Sequence, residues 1–293
     1  MVSSSLIDAV KMVSPRYRRW KRLLAGLTFD PDGLSRPVER PGERDFVICG
    51  CPRTGTSFLS AMLYQPPSVV TVMEPWDGMR LPPAELFASL RGEIEGSGRM
   101  TRGRLNVGAL FGDGRVEWGR DGEFPHPIRV GDGYVLGVKW PAFWRYLELL
   151  PDTKFLVCLR DPVEVVASLR SAGGRIAEGL DYDIPFNRRM NDELRAATRD
   201  AALRRVLLYD YVNSRLLPYL GRANVFVVRY ERWFDENDAL LSEIGGFLGL
   251  DLGPGPAAIR PGEPVRDPDV EELVRAHCST SEALGYPLPG ATA

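Results

Sequence analysis

The sequence predicts an α/β fold of three layers, with a central, mainly parallel sheet of about five strands flanked by helices. Two observations carry that expectation. Five short apolar runs rich in β-branched residues recur along the 293 residues, most bounded by Pro, Gly or Asp, as buried strands are. Helical patterns lie between them, and alternating strands and helices build a parallel sheet covered on both faces.

The runs are "DFVICGC" (45–51), "VVTVME" (69–74), "YVLGVK" (134–139), "KFLVCL" (154–159) and "NVFVVR" (224–229). Helices are expected over 56–64, 81–94, 141–150, 162–171, 188–220, 236–248 and 268–284. Asp161-Pro162 marks a start, with Asp as N-cap and Pro at the first helical position. Two stretches break the rhythm. Residues 92–133 are glycine-studded, and 172–200 are polar, holding "SAGGRIAEGLDYDIPFNRRMNDE". Both read as insertions over the sheet's carboxyl edge, where open α/β folds bind ligands. No repeat is present, and the chain reads as one domain over 1–293, with an N-terminal helix and lead-in over 1–44.

Composition narrows the function classes. The chain is 44% hydrophobic and 26% charged with a formal net charge of −2, so a whole-surface nucleic-acid partner is not expected. Its four lysines are Lys11, Lys21, Lys139 and Lys154, which draws attention to Lys139 inside an apolar segment. The four cysteines form neither a disulfide framework nor a zinc pattern, and buried reduced thiols suit a cytoplasmic location. No stretch is long and apolar enough for a transmembrane span. The basic amphipathic "SPRYRRWKRLLAGL" reads as a helix packed on the domain, with peripheral membrane contact as the alternative. The sequence says nothing about oligomeric state.

The first run leads into "GCPRTGTSFL", Gly50 to Leu59. A strand, a tight glycine-bearing turn and a helix surround an anion with backbone N–H groups, so the fold is expected to contain a P-loop. The spacing is that of G-x-x-x-x-G-K-[ST], but Thr56 stands where the lysine belongs. That substitution weakens a nucleotide-kinase reading, because the lysine normally reaches the β/γ-phosphates beside Mg²⁺. Arg53 instead offers a planar fork to a tetrahedral oxyanion. A less charged transferring group that needs no metal, such as sulfuryl, suits that arrangement.

Further along, "PRTGTSFL" resembles the 5′-phosphosulfate loop of the PAPS-dependent sulfotransferases, and "CLRDPVEVVASLR" resembles their 3′-phosphate motif. The spacing has a physical reason. Arg160 ends a strand, and Ser168, two helical turns on, returns to the same side. "VVTVMEPW", "GVKWPAFWRYLELLPDTKFLVCLRDP" and "VFVVRYERW…EIGGFLGL" resemble further segments of the carbohydrate and tyrosylprotein branches. The likeness spans roughly 45–250.

The resemblance implies roles. Pro52, Arg53, Thr54, Gly55, Thr56, Ser57 and Phe58 form the 5′-phosphosulfate loop, with Arg53 steadying charge on the leaving oxygen. Arg160 and Ser168 hold the 3′-phosphate, unless Arg160 merely pairs with Asp161 or Asp200. Glu74 is the general base and His126, in "FPHPIR", the alternative. Lys139 stabilises the transition state, or else forms a structural pair with an acidic neighbour. Tyr230 and Arg229 line the adenosine site or pack in the core. Trp76, Trp140 and Trp144 stack on a sugar or pack. PAPS is then the co-substrate and PAP the product, with no metal. The acceptor is a small molecule or glycan hydroxyl, the E-P-W segment favouring a carbohydrate or glycoconjugate over a lipid or natural product. A kinase or a PAP-binding module without transferase activity are the other readings. The missing Golgi-type anchor suggests a soluble bacterial form, and the missing R-K-G segment leaves completion of the 3′-phosphate site open.

Overall fold

A computed structural model describes residues 39–75, 78, 81–97, 104–105, 128–182, 185–255, 262 and 266–287. The expected N-terminal amphipathic helix, His126, Trp76 and most of the 92–133 stretch lie outside the described residues.

Six strands form one sheet: β1 (Phe46–Gly50), β2 (Val69–Met73), β3 (Arg104–Leu105), β4 (Val135–Lys139), β5 (Lys154–Leu159) and β6 (Val225–Arg229), in the order β3-β2-β4-β1-β5-β6. Five run parallel, and the two-residue β3 pairs antiparallel with β2 at one edge. The sequence reading did not anticipate β3, because two residues inside a glycine-studded stretch carry no periodic signal.

Alternation builds two cores, one on each face. In β1, Phe46 and Ile48 face one layer while Val47 and Cys49 face the other, where Cys51 follows. Cys49 and Cys51 therefore do point the same way, into an apolar layer that pushes both thiols well above their ordinary range by burial. Phe46 crosses to Gly137 of β4, where an added Cβ would meet its ring at 2.4 Å.

The helices are α1 (Thr56–Met62), α2 (Pro83–Ser97), α3 (Pro162–Ser171), α4 (Gly174–Ala177), α5 (Pro185–Ala197), α6 (Ala201–Leu216), α7 (Arg232–Asp235), α8 (Asn237–Leu248) and α9 (Pro268–His277). Three expectations need correction. The single helix over 188–220 is two, because Asp200 leaves the helix to cap α6 through Ala202 N–H at 2.8 Å, as short polar side chains do. The 141–150 segment is a 3-10 helix over Pro141–Tyr146, whose three-residue period brings Phe143 and Tyr146 edge to face, 5.1 Å apart. The last helix stops at His277 rather than 284. Asp210 draws the chain away by accepting from Thr280 N–H and Ser279 Oγ at 2.8 and 2.9 Å.

The register aligns the carboxyl ends. Lys139 lies opposite both Ile48 and Met73, Gly50 opposite Cys158, and Leu159 opposite Arg229. The P-loop, Glu74, Lys139, Arg160 and Tyr230 therefore all end or follow a parallel strand on one edge of the sheet.

Candidate active site

The loop after β1 is bent by residues that other backbones could not replace. Gly50 has φ 149°, and an added Cβ would come 2.6 Å from the Cys158 carbonyl oxygen. Gly55 has φ 93°, and its Cβ would come 2.4 Å from the Tyr230 ring. Thr54 spends its buried hydroxyl on the Cys51 carbonyl at 2.8 Å, closing the turn. Gly55 is the N-cap of α1 and no side chain caps that end. Thr56 is buried and Ser57 half-buried at the same end, while Pro52 is buried under the loop. Phe58 packs edge-on against Tyr230 and Trp233.

Arg53 is exposed and holds φ 75°; Glu74 holds φ 46°. Among the described residues, these are the two non-glycine residues in the left-handed region. Such strain persists where the surroundings impose it and gathers at functional sites. Both positions are ones the sequence assigns to catalysis.

The two anion motifs meet. Arg53 Nε donates to Ser168 Oγ at 2.9 Å across 115 residues of chain. Arg160 Nη1 reaches the Arg53 carbonyl at 3.5 Å. Neither Asp161 nor Asp200 is the partner of Arg160 that the sequence suggested. Its Nε and Nη2 both go to Glu164 Oε2, at 2.9 and 2.8 Å. The guanidinium carbon sits 4.2 Å from the centroid of the Tyr230 ring, a cation–π stack. Asp161 caps α3 through Val163 and Glu164 N–H, and its own N–H donates to Glu231 Oε1 at 2.7 Å.

Tyr230 is 6% exposed, and its hydroxyl accepts from Gly262 N–H at 2.9 Å. It is a girder between the loop, Arg160 and the C-terminal chain. Arg229 donates to the Leu284 carbonyl at 2.7 Å, and Trp140 and Trp144 are buried.

Lys139 and Glu74 come together as well. Lys139 Nζ donates to Glu74 Oε1 at 2.7 Å, with Lys139 2% and Glu74 13% exposed. Glu74 N–H also donates to the Lys139 carbonyl at 2.7 Å, so backbone and side chain are tied to one residue. The pair sets a carboxylate at a strand end, on the sheet's carboxyl edge. Asp181, a buried carboxyl in the 172–200 stretch, was not anticipated from the sequence. Burial pushes it up to about 6, the charge of Glu74 adds to that, and Arg145 and Lys139 oppose it. Its only readable signal was an acid in a polar insertion. Glu164 had a better one, standing four residues after Arg160 on a helix.

Among the described residues, no three His, Cys, Asp or Glu side chains group as a metal site requires, and no helix is long and apolar enough to cross a membrane.

No family model matches the chain. Nodulation protein NoeE of Sinorhizobium fredii (strain NBRC 101917 / NGR234) is 28% identical over 225 residues, covering 70% of this chain and 50% of that protein. The chain thus spans about half the length of this curated relative. The solved structures it is similar to include sulfotransferases. One from Alicyclobacillus acidocaldarius is 19% identical with a TM-score of 0.41, covering 84% of this chain and 96% of its own. The sulfotransferase domain from the curacin biosynthetic pathway is 16% identical, with a TM-score of 0.43 and coverage of 86% and 95%. Mouse sulfotransferase SULT7A1, complexed with PAP, is 15% identical, with a TM-score of 0.38 and coverage of 89% and 70%.

Proposed function

We propose that the protein is a PAPS-dependent sulfotransferase acting on an acceptor hydroxyl, with carbohydrates or glycoconjugates as the acceptor class. The observation that carries this reading is the contact of Arg53 with Ser168 at 2.9 Å, beside Arg160. Two sequence motifs that resemble the 5′- and 3′-anion sites of one nucleotide converge on one edge of one sheet. The donors there suit such a nucleotide: two guanidinium groups, a serine hydroxyl and an uncapped helix start.

The roles follow from chemistry. Arg53 and the loop amides hold the 5′-anion and stabilise charge on the oxygen that leaves; Arg160 and Ser168 hold the 3′-phosphate. Glu74 takes the proton of the acceptor hydroxyl. Lys139 holds Glu74 in place before transfer, and is released to the sulfuryl oxygens once the carboxylate has taken the proton. PAPS supplies the sulfuryl group, and PAP is the product. The resemblance of the E-P-W segment to the carbohydrate and tyrosylprotein branches supports the carbohydrate class, and the stretches at 92–133 and 172–200 are proposed to shape its pocket.

Thermal-shift titration tests the nucleotide. PAP is expected to raise the unfolding temperature and ATP–Mg²⁺ to leave it nearly fixed; stabilisation by ATP–Mg²⁺ and not by PAP would overturn the sulfotransferase reading in favour of an ATP-binding one. Labelled PAPS offered with glycan, lipid and phenolic acceptors then tests the reaction. Label moving into glycans is the expected result. Binding of PAP without transfer to any acceptor would leave only a binding module.

A further inference from the structure

Glu164 is 4% exposed, and a carboxylate so buried is retained only with a cationic partner. That partner is Arg160, itself 8% exposed. Replacing a pair of this kind by apolar residues is often neutral or stabilising, so fold stability alone gives little reason for it. The pair also works against anion binding, since Glu164 offsets the charge of Arg160. Its geometry supplies a different reason.

Glu164 is the third residue of α3, where a capping-box glutamate normally turns back to the N–H of the N-cap residue. That N–H, on Asp161, is already taken by Glu231 Oε1 at 2.7 Å, and Asp161 caps the helix itself. Glu164 is thereby freed for Arg160. One carboxylate oxygen gathers Nε and Nη2, the Tyr230 ring lies against the flat face, and Tyr209 Oη donates to the Arg160 carbonyl at 3.0 Å. With one edge and one face held, Nη1 is the corner turned toward the P-loop, at the Arg53 carbonyl.

We propose that Glu164 is a positioning residue of the nucleotide site: it fixes the Arg160 guanidinium with Nη1 toward the loop and so sets the preference for a nucleotide carrying a 3′-phosphate. This rests on the sulfotransferase reading of Arg160.

Calorimetric titration of PAP and of 5′-AMP, which lacks the 3′-phosphate, into wild type, Glu164→Ala, Glu164→Gln and Glu164→Asp tests it. The ratio of the two affinities is the readout, because general damage to the site weakens both ligands alike. Glu164→Ala should lower the PAP preference roughly tenfold, the scale of a hydrogen bond to a charged group. Glu164→Gln keeps an acceptor oxygen and should restore the ratio to within about threefold of wild type. Glu164→Asp keeps the charge but shortens its reach, and should behave like Ala; it carries the test if Glu164→Ala does not fold. An undiminished ratio in the Ala and Asp variants, tighter PAP binding from a released Arg160, or no recovery with Gln overturns the proposal. Wild type that fails to bind PAP at all overturns the sulfotransferase reading first, and this inference with it.

Discussion

Arg53 and Glu74 each hold a backbone conformation that costs a non-glycine residue on the order of 1–3 kcal/mol. That strain separates stability from activity at position 53. Arg53→Gly is expected to raise stability in urea denaturation by about 1 kcal/mol while abolishing sulfuryl transfer. A variant both weaker in fold and fully active would contradict the assignment. Glu74→Gln should cut turnover by about 10²–10⁴-fold, the usual share of a general base, and spare PAP binding; full activity in this variant would mean the base is elsewhere. Lys139→Met removes the largely buried ion pair with Glu74 and should destabilise by roughly 3 kcal/mol, read in the same denaturation assay. Arg53 and Ser168 were marked by motif spacing, and Glu74 by the family resemblance. Glu164 and Asp181 were not, because their significance lies in which charges fold around them.

At the scale of elements, hydrophobic periodicity was a sound guide where burial is two-sided. The five parallel strands lie within a residue or so of their expected bounds, since every side chain in them meets a packed layer. It failed where a local hydrogen bond or a proline competes with helix continuation, at Asp200 and over Pro141–Tyr146. The start of α3 was legible from Asp161-Pro162 alone, and the cap is there. Its removal gives a local prediction. Asp161→Ala should cost about 1 kcal/mol in thermal or chemical unfolding, and should weaken PAP binding too, because Arg160 and Glu164 flank that cap. Unfolding weakened with PAP affinity intact would separate the cap from the site.

Across the whole molecule, Asp181 ties stability to pH. Its folded carboxyl titrates near 6 against the ordinary 3.8, so between those values the native chain binds the extra proton. Stability is then greatest below pH 4 as far as this group is concerned, and is lost as the pH rises through 6, by on the order of 3 kcal/mol. Asp181→Asn, which keeps an acceptor for the Tyr182 N–H, should flatten that decline; an unaltered pH profile would show the carboxyl to be normal. The elevated carboxyl could not be read along the chain, because it depends on which groups the fold gathers around it, whereas the joining of strands β1, β5 and β6 was expected only through the family resemblance.

Tyr230 shows what that order means in time. The loop, Arg53, Arg160 and Glu164 are all present in the first 170 residues, yet the ring that separates Gly55 from Arg160 arrives sixty residues later, and its hydroxyl awaits Gly262. Contacts this distant in sequence form late, after the loop-closure cost is met. A nascent chain halted near residue 220 should therefore bind no PAP, although it carries both anion motifs. Ligand binding during synthesis would report the emergence of β6, not of the P-loop.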